Sequence, residues 1–228
     1  MARTSSKATT TTKKIKSKVP KSQKTQDEHD AGKYRKMDQR EHVLKRPDTY
    51  AGSIEHNEAN VPVFISKNEE TGKPDTIRRM KINYVPAFYK VYDEIIVNAI
   101  DQHTRMEDEY NNTKSKAARA KVDRVTRIYI NIDQTNGTIE VINNGRGIDV
   151  VFMEEHNKWP PGLIFGELLT GENYDDNQQK TTGGKNGIGA KLANIYSTDF
   201  LVETVDSKRK RRYEQHFHDN MAVSDEPT

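Results

Sequence analysis

Apolar residues recur at helical spacing most clearly in two stretches of the chain. In VPAFYKVYDEIIVNAIDQHTRM, which runs on from Pro86, Val91, Ile95 and Ala99 stand four residues apart, with Tyr92 and Ile96 beside them. That stripe predicts a long helix with one buried face. After a glycine cluster, Ile188, Leu192 and Ile195 repeat the spacing and predict a second helix. Shorter helices are predicted from Asp38, where Asp and Glu41 have capping-box spacing ahead of a stop at Pro47, and from Pro161 to about Leu169. Strands are predicted at 49–55, 61–67 and 76–84. VTRIYINI and TIEVIN flank an Asn-Gly pair and predict a hairpin, and DFLVETVD with RYEQHFHDN predicts another around a basic SKRKRR turn. Residues 106–124 are polar and charged and read as an exposed excursion.

Composition changes the picture at the N-terminus. Of 228 residues 32% are hydrophobic and 31% charged, and the net charge is +3. Residues 1–26 carry eight Lys/Arg and no acid, leaving 29 basic against 34 acidic residues elsewhere. The basicity therefore belongs to a tail, residues 1–33, too poor in apolar residues to offset its ordering entropy. It reads as a disordered, solvated arm or as a nuclear-import or nucleic-acid-contacting one. No run of about 18 apolar residues could span a bilayer. No apolar signal segment opens the chain, and the absence of cysteine excludes disulfides and thiolate metal sites. An intracellular protein with no membrane partner is the expectation. The seven histidines show no convincing ligand spacing; His216 and His218 alternate along a predicted strand, facing solvent.

Three motifs carry candidate chemistry. Gly184, Gly187 and Gly189 fit G-x-x-G-x-G directly before a helix, where backbone amides can crowd around an anion and Lys185 and Lys191 add mobile charge. The pattern is not a Walker A loop, since no Gly-Lys-Ser/Thr ends it. On the first helix Glu94, Asn98 and Asp101 or Gln102 share a face. A carboxylate one turn before a carboxamide suits nucleotide hydrolysis, the acid activating water and the amide oxygen holding magnesium. Asn143 in NNGRG offers an oxygen to an adenine amino group, with Gly145 and Gly147 allowing close approach to a flat ring. Taken singly, each is also an ordinary loop, a solvated helix face or a strand-ending turn.

Taken in order, E-x-x-x-N, N-x-G-x-G and G-x-x-G-x-G resemble the ATP-binding fold of gyrases, heat-shock chaperones, sensor histidine kinases and mismatch-repair ATPases, the GHKL superfamily. KRPDTYAGSIE, YVPAFYKVYDEIIVNAIDQ, VINNGRGIDV, LIFGELLTGENYDDNQQKTTGGKNGIGAKLANIYSTDF and FHDNM resemble, more narrowly, the N-terminal ATPase region of eukaryote-type type II DNA topoisomerases. Asn143 supports the narrower likeness, because the other families generally place Asp there. The resemblance implies an α/β two-layer sandwich over residues 34–228, with a mixed, mainly antiparallel sheet, helices on one face, and ATP and Mg2+ between helix and lid.

Carried over by residue, the resemblance implies Glu94 as general base and Asn98 as the magnesium ligand, with Gln102 on the same face. Asn143 would read adenine, with Gly147 beside it. Glu172 and Asn173 would meet ribose or phosphates, and Gly184, Lys185, Asn186, Gly187, Ile188, Gly189, Ala190 and Lys191 would wrap the triphosphate. Tyr34 would reach the nucleotide of a second protomer. Gly171-Glu172 stands where the family usually has two serines and Gln102 where Asn is common, which marks a divergent member, viral or protistan. The parent activity implied is ATP-dependent passage of one DNA duplex through a break in another by a homodimer whose N-terminal gate this region forms. Its expected place is the nucleus or a viral replication site. The chain is expected to stop short of the last strands and of the transducer domain, whose lysine would contact the γ-phosphate. A nucleotide-binding module without significant hydrolysis and a DNA-tethering fragment therefore stay open beside the enzyme, and alone the chain is expected to be inactive in strand passage.

Overall fold

Asp38 caps the first helix: its Oδ1 accepts from the Glu41 amide at 2.8 Å, and α1 (Gln39–Lys45) begins there. Pro47 ends that helix and begins another. Its missing N–H and fixed φ suit a first turn, and α2 (Pro47–Tyr50) forms where residues 49–55 were expected to be a strand. The computed structural model describes residues 37–65, 76–168 and 188–228, and Asp38–Thr228 is the unit that carries the elements and the site. The basic tail lies outside the described residues.

The strands pair as three separate ladders among the described residues, all antiparallel, so the α/β character holds without one continuous sheet or a parallel pair. β1 (Asn57–Ile65) pairs with β2 (Thr76–Tyr84). β3 (Ile128–Asp133) pairs with β4 (Thr138–Asn143) across a four-residue turn. Asp133 Oδ1 accepts from the amides of Thr135 and Asn136, and Gly137 closes the turn at φ +65°. The Asn-Gly pair thus fills the second half of a longer turn, because Asp133 organises the first half. β5 (Asp199–Asp206), β6 (Arg211–His218) and the short β7 (Val223–Ser224) make the third ladder.

α3 (Pro86–Asn112) is a single helix of 27 residues and overruns the expected end. The excursion expected at 106–124 is exposed over most of 111–123, but it begins inside a helix and is tied back to it. Met106 is buried, the helix continues to Asn112, and α4 (Lys116–Arg119) turns the chain back. Arg124 then grips Glu107 through two hydrogen bonds of 2.6 and 2.8 Å and lies 4.3 Å over the Tyr110 ring. The imidazole of His103 sits 2.7 Å from the Val125 carbonyl, and the Val125 side chain is buried. Charged residues that read as solvated in one dimension pair with each other across the fold. No helix of the described residues is long and apolar enough to cross a membrane.

α5 (Pro160–Gly166) starts on its proline as expected and ends a few residues early. α6 (Gly189–Ile195) is buried along almost its whole length. Leu192 and Ile195 meet Val43 in the main core, with Val91, Tyr50, Tyr196 and Met221 packed around them. Tyr196 donates its hydroxyl to the Val43 carbonyl at 2.8 Å. The Asn of FHDNM, Asn220, sits at φ +58° and donates to the Ile195 carbonyl at 2.8 Å, closing the helix C-terminus.

β5 also holds the segment that leaves β4. Thr204 Oγ1 accepts from the Ile148 amide and Asp206 Oδ2 from the Val150 amide, each at 2.9 Å. Burial works to raise the Asp206 carboxyl, but Arg209 at 2.7 Å and the amides of Val150 and Arg209 outweigh it and hold the group at about 2. Its ordinary value is 3.8, so the folded state binds fewer protons than the unfolded state between those limits. The stabilisation is full above about 4 and is lost as pH falls through about 2. We predict that the stability gap between the native chain and Asp206→Asn, on the order of 1 kcal/mol after screening of Arg209, closes over that window in denaturant titrations. Parallel curves would show that Asp206 is not linked to folding in this way.

Candidate active site

Glu94 and Asn98 stand one turn apart on α3. Asn98 is exposed and donates Nδ2 to the Glu94 carbonyl at 2.7 Å, which leaves its Oδ1 with no hydrogen-bond donor among the described residues. Oxygen is the donor atom that a hard cation selects. Glu94 Oε1 pairs with Lys90 Nζ at 2.6 Å, and that hydrogen bond lifts the Lys90 ammonium above its usual value against the opposing effect of burial. Lys90 was not among the residues expected at the site, although its i, i+4 spacing to Glu94 was a signal for it.

The other carboxylate oxygen faces α6. A Cβ placed on Gly189 would lie 1.9 Å from Glu94 Oε2, so only glycine lets the carboxylate rest against the first residue of that helix. Two motifs about 95 residues apart in sequence thus meet at one oxygen. Ile188 precedes the helix and packs onto the main core, and Ala190 is buried. Lys191 lies in the interior, 3% exposed, where burial pulls its ammonium down to about 8 while Glu167 opposes the shift.

Further along α3, Gln102 Nε2 donates to the Arg146 carbonyl at 2.9 Å. The Arg146 guanidinium pairs with both oxygens of Glu109, at 2.5 and 2.9 Å, and the Arg146 amide donates to the Asp123 carbonyl. α3 therefore anchors the NNGRG corner as well as carrying Glu94. Within the corner the two asparagines divide the work. Asn144 Oδ1 accepts from the amides of Thr126 and Arg127 and so fixes the entry to β3. Asn143 ends β4, donates to the Asn144 carbonyl at 3.1 Å, and keeps an Oδ1 without a donor among the described residues.

The glycines of the corner are needed for close packing of the chain on itself. Gly145, at φ +88°, brings its Cα against the Arg124 carbonyl, where an added Cβ would stand 2.6 Å from the oxygen. A Cβ on Gly147 would stand 2.4 Å from the Val205 carbonyl oxygen. Both glycines are thus required by the protein's own backbone, whatever else they admit. Tyr34, Glu172, Asn173, Gly184, Lys185, Asn186 and Gly187 lie outside the described residues.

A carboxylate at a glycine-opened helix start, an amide oxygen one turn away and a strand-ending asparagine form a donor set suited to a nucleotide. The family of histidine kinase-, DNA gyrase B- and HSP90-like ATPases matches residues 84–218, which include all of these groups. The chain belongs to that ATPase family. Its relatives narrow the likeness. DNA topoisomerase 2 of Acanthamoeba polyphaga mimivirus is 47% identical over 196 residues, 86% of this chain and 14% of the relative. DNA topoisomerase 2 of Saccharomyces cerevisiae is 40% identical over 195 residues, again 86% of this chain and 12% of the relative. The crystal structure of the ATPase region of Saccharomyces cerevisiae topoisomerase II superposes with a TM-score of 0.73 at 40% identity, over 87% of this chain and 47% of that one. The ATPase and transducer domains of DNA topoisomerase II from Balamuthia mandrillaris give 0.71 at 41% identity, over 86% and 44%. This ATPase chain thus spans about an eighth of the length of the curated relatives it matches and under half of the solved ATPase regions.

Gly189→Ala tests the contact between the two helices of this ATPase. The clashing atom is the far end of a flexible side chain, so the fold should survive with Glu94 displaced. In a chain extended to the length of the yeast ATPase region, we expect an unchanged circular dichroism spectrum and ATP turnover lower by roughly 10². Turnover at the parental rate would show that the position of the carboxylate against Gly189 is immaterial.

Proposed function

We propose that this chain is the ATP-binding and ATP-hydrolysing segment of a type II DNA topoisomerase. The observation that carries the proposal is the Glu94 carboxylate resting against Gly189, with the Asn98 amide oxygen one turn away. Glu94 would orient and deprotonate the attacking water. Asn98 would hold magnesium, which when bound supplies charge stabilisation to the phosphates. Asn143 would accept from the adenine amino group through its Oδ1. Lys90, fixed on Oε1, would hold the carboxylate in one rotamer and leave Oε2 as the proton acceptor. In the longer parent protein the segment would form the N-terminal gate of a homodimer, coupling ATP to the passage of one DNA duplex through another.

A second reading, nucleotide binding without significant turnover by these 228 residues alone, is favoured by the chain's covering under half of the solved ATPase regions it matches. Comparing turnover by this chain with that of a chain extended by about 200 residues, a typical domain length, separates the two. Equal rates would remove the second reading.

Glu94→Gln keeps size and removes proton acceptance. In the extended chain it should lower hydrolysis by roughly 10² or more while ATP binding survives in calorimetry. Hydrolysis near the parental rate would dismiss Glu94 as the base. Asn98→Ala should instead weaken the magnesium dependence of ATP binding, and an unchanged dependence would strike it from the ligand set.

A further inference from the structure

The third ladder ends in a side-chain group that the nucleotide chemistry does not use. His216 and His218 are two residues apart on β6, so both project from one face of the strand. Their rings stack with centroids 5.8 Å apart and planes 15° from parallel. Asp199 opens β5 directly opposite His218. Its carboxylate is 2.8 Å from His218 Nδ1 and 3.8 Å from His216 Nδ1. One ligand atom from each of the three residues lies within 4.8 Å of the others. Spacing along the chain hides this group, because the carboxylate comes from across the hairpin.

We propose that Asp199, His216 and His218 form a binding site for a divalent transition metal, with zinc as the reference ion, at the open end of the β5–β6 hairpin. Two imidazoles and one carboxylate are a donor set that such ions accept, with water filling the fourth place of a tetrahedral zinc. Ligands about 2.0–2.2 Å from such an ion stand roughly 3.4 Å apart. The three side chains are partly or fully exposed, which leaves them room to close from their present spacing to that separation.

A fourth residue strengthens the assignment. Asp225 Oδ2 lies 3.1 Å from His218 Nε2, on the ring edge away from Asp199. A carboxylate that accepts from the far nitrogen of a metal-binding histidine fixes its tautomer and orientation and makes it a stronger donor. Asp225 is itself held in place. Its amide donates to the His216 carbonyl at 2.9 Å, and its carbonyl accepts from Gln215 Nε2 at 2.9 Å. A bound ion would therefore join β5, β6 and the segment after β7.

The test uses the full 228-residue chain, freed of metal by chelation and titrated with zinc chloride in the absence of nucleotide. Calorimetry should show one tight equivalent. The ring resonances of His216 and His218 in proton NMR should shift while those of His56 and His156 stay in place; this readout needs no variant to fold. Asp199→Asn, His216→Gln and His218→Gln should each weaken binding by about 100-fold or more. Asp225→Asn should weaken it by roughly 10–100-fold, and zinc should raise the melting temperature of the native chain only. The absence of a stoichiometric equivalent, shifts confined to other histidines, or equal affinity in the variants would overturn the site and leave the group as a pair of ordinary His–Asp contacts.

Discussion

A helix of 27 residues extends about 40 Å at 1.5 Å per residue, and the functional half of this fold depends on α3 being unbroken over that length. Its early turns hold Glu94 and Asn98, and its later turns grip the NNGRG corner through Gln102 and Glu109. A rigid rod between the two sets the distance from the Glu94 carboxylate to the strand end at Asn143. A kink between Asn98 and Gln102 would uncouple them, and the sequence there contains neither proline nor glycine.

The seam between α3 and the corner is polar. Arg146 with Glu109 and Arg124 with Glu107 are both bidentate, and Tyr110 lies beneath the Arg124 guanidinium. Planar fork-to-carboxylate pairs fix orientation as well as distance, which hydrophobic contact alone does less sharply. The apolar contribution comes from the other side, where α6 is driven into the core by Leu192 and Ile195 and thereby presents Gly189 to Glu94. One helix is thus fixed by charge at one end and by burial at the other, with the candidate chemistry between them.

Local patterns were legible where local physics decides. The Asp38 cap, the proline-started helices and the hairpins at 128–143 and 199–218 are set by neighbours within a few residues. That Glu94 and Asn98 share one turn-to-turn face and that Asn143 ends a strand was legible from spacing. What could not be read were partnerships across the fold. Glu107 and Glu109 looked solvated because Arg124 and Arg146 lie 17 and 37 residues away. The burial of Lys191 was hidden because it is set by the elements packed around α6. The backbone role of Gly145 and Gly147 was hidden because the carbonyls of Arg124 and Val205 that they approach belong to distant segments. The strand expected at 49–55 gave way to Pro47, whose preference for a first helical turn outweighed the β-propensity of Thr49 and Tyr50.

The central claim is that α3 positions the NNGRG corner through Arg146 and Glu109 and that nucleotide affinity depends on it. A double-mutant cycle of Glu109→Ala, Arg146→Ala and both together, read by calorimetric titration with magnesium ATP, tests it most directly. The account predicts that each single change weakens ATP binding and that the double mutant is no worse than either, since both remove the same link. Wild-type affinity in the single mutants, or strictly additive losses in the double mutant, would contradict it.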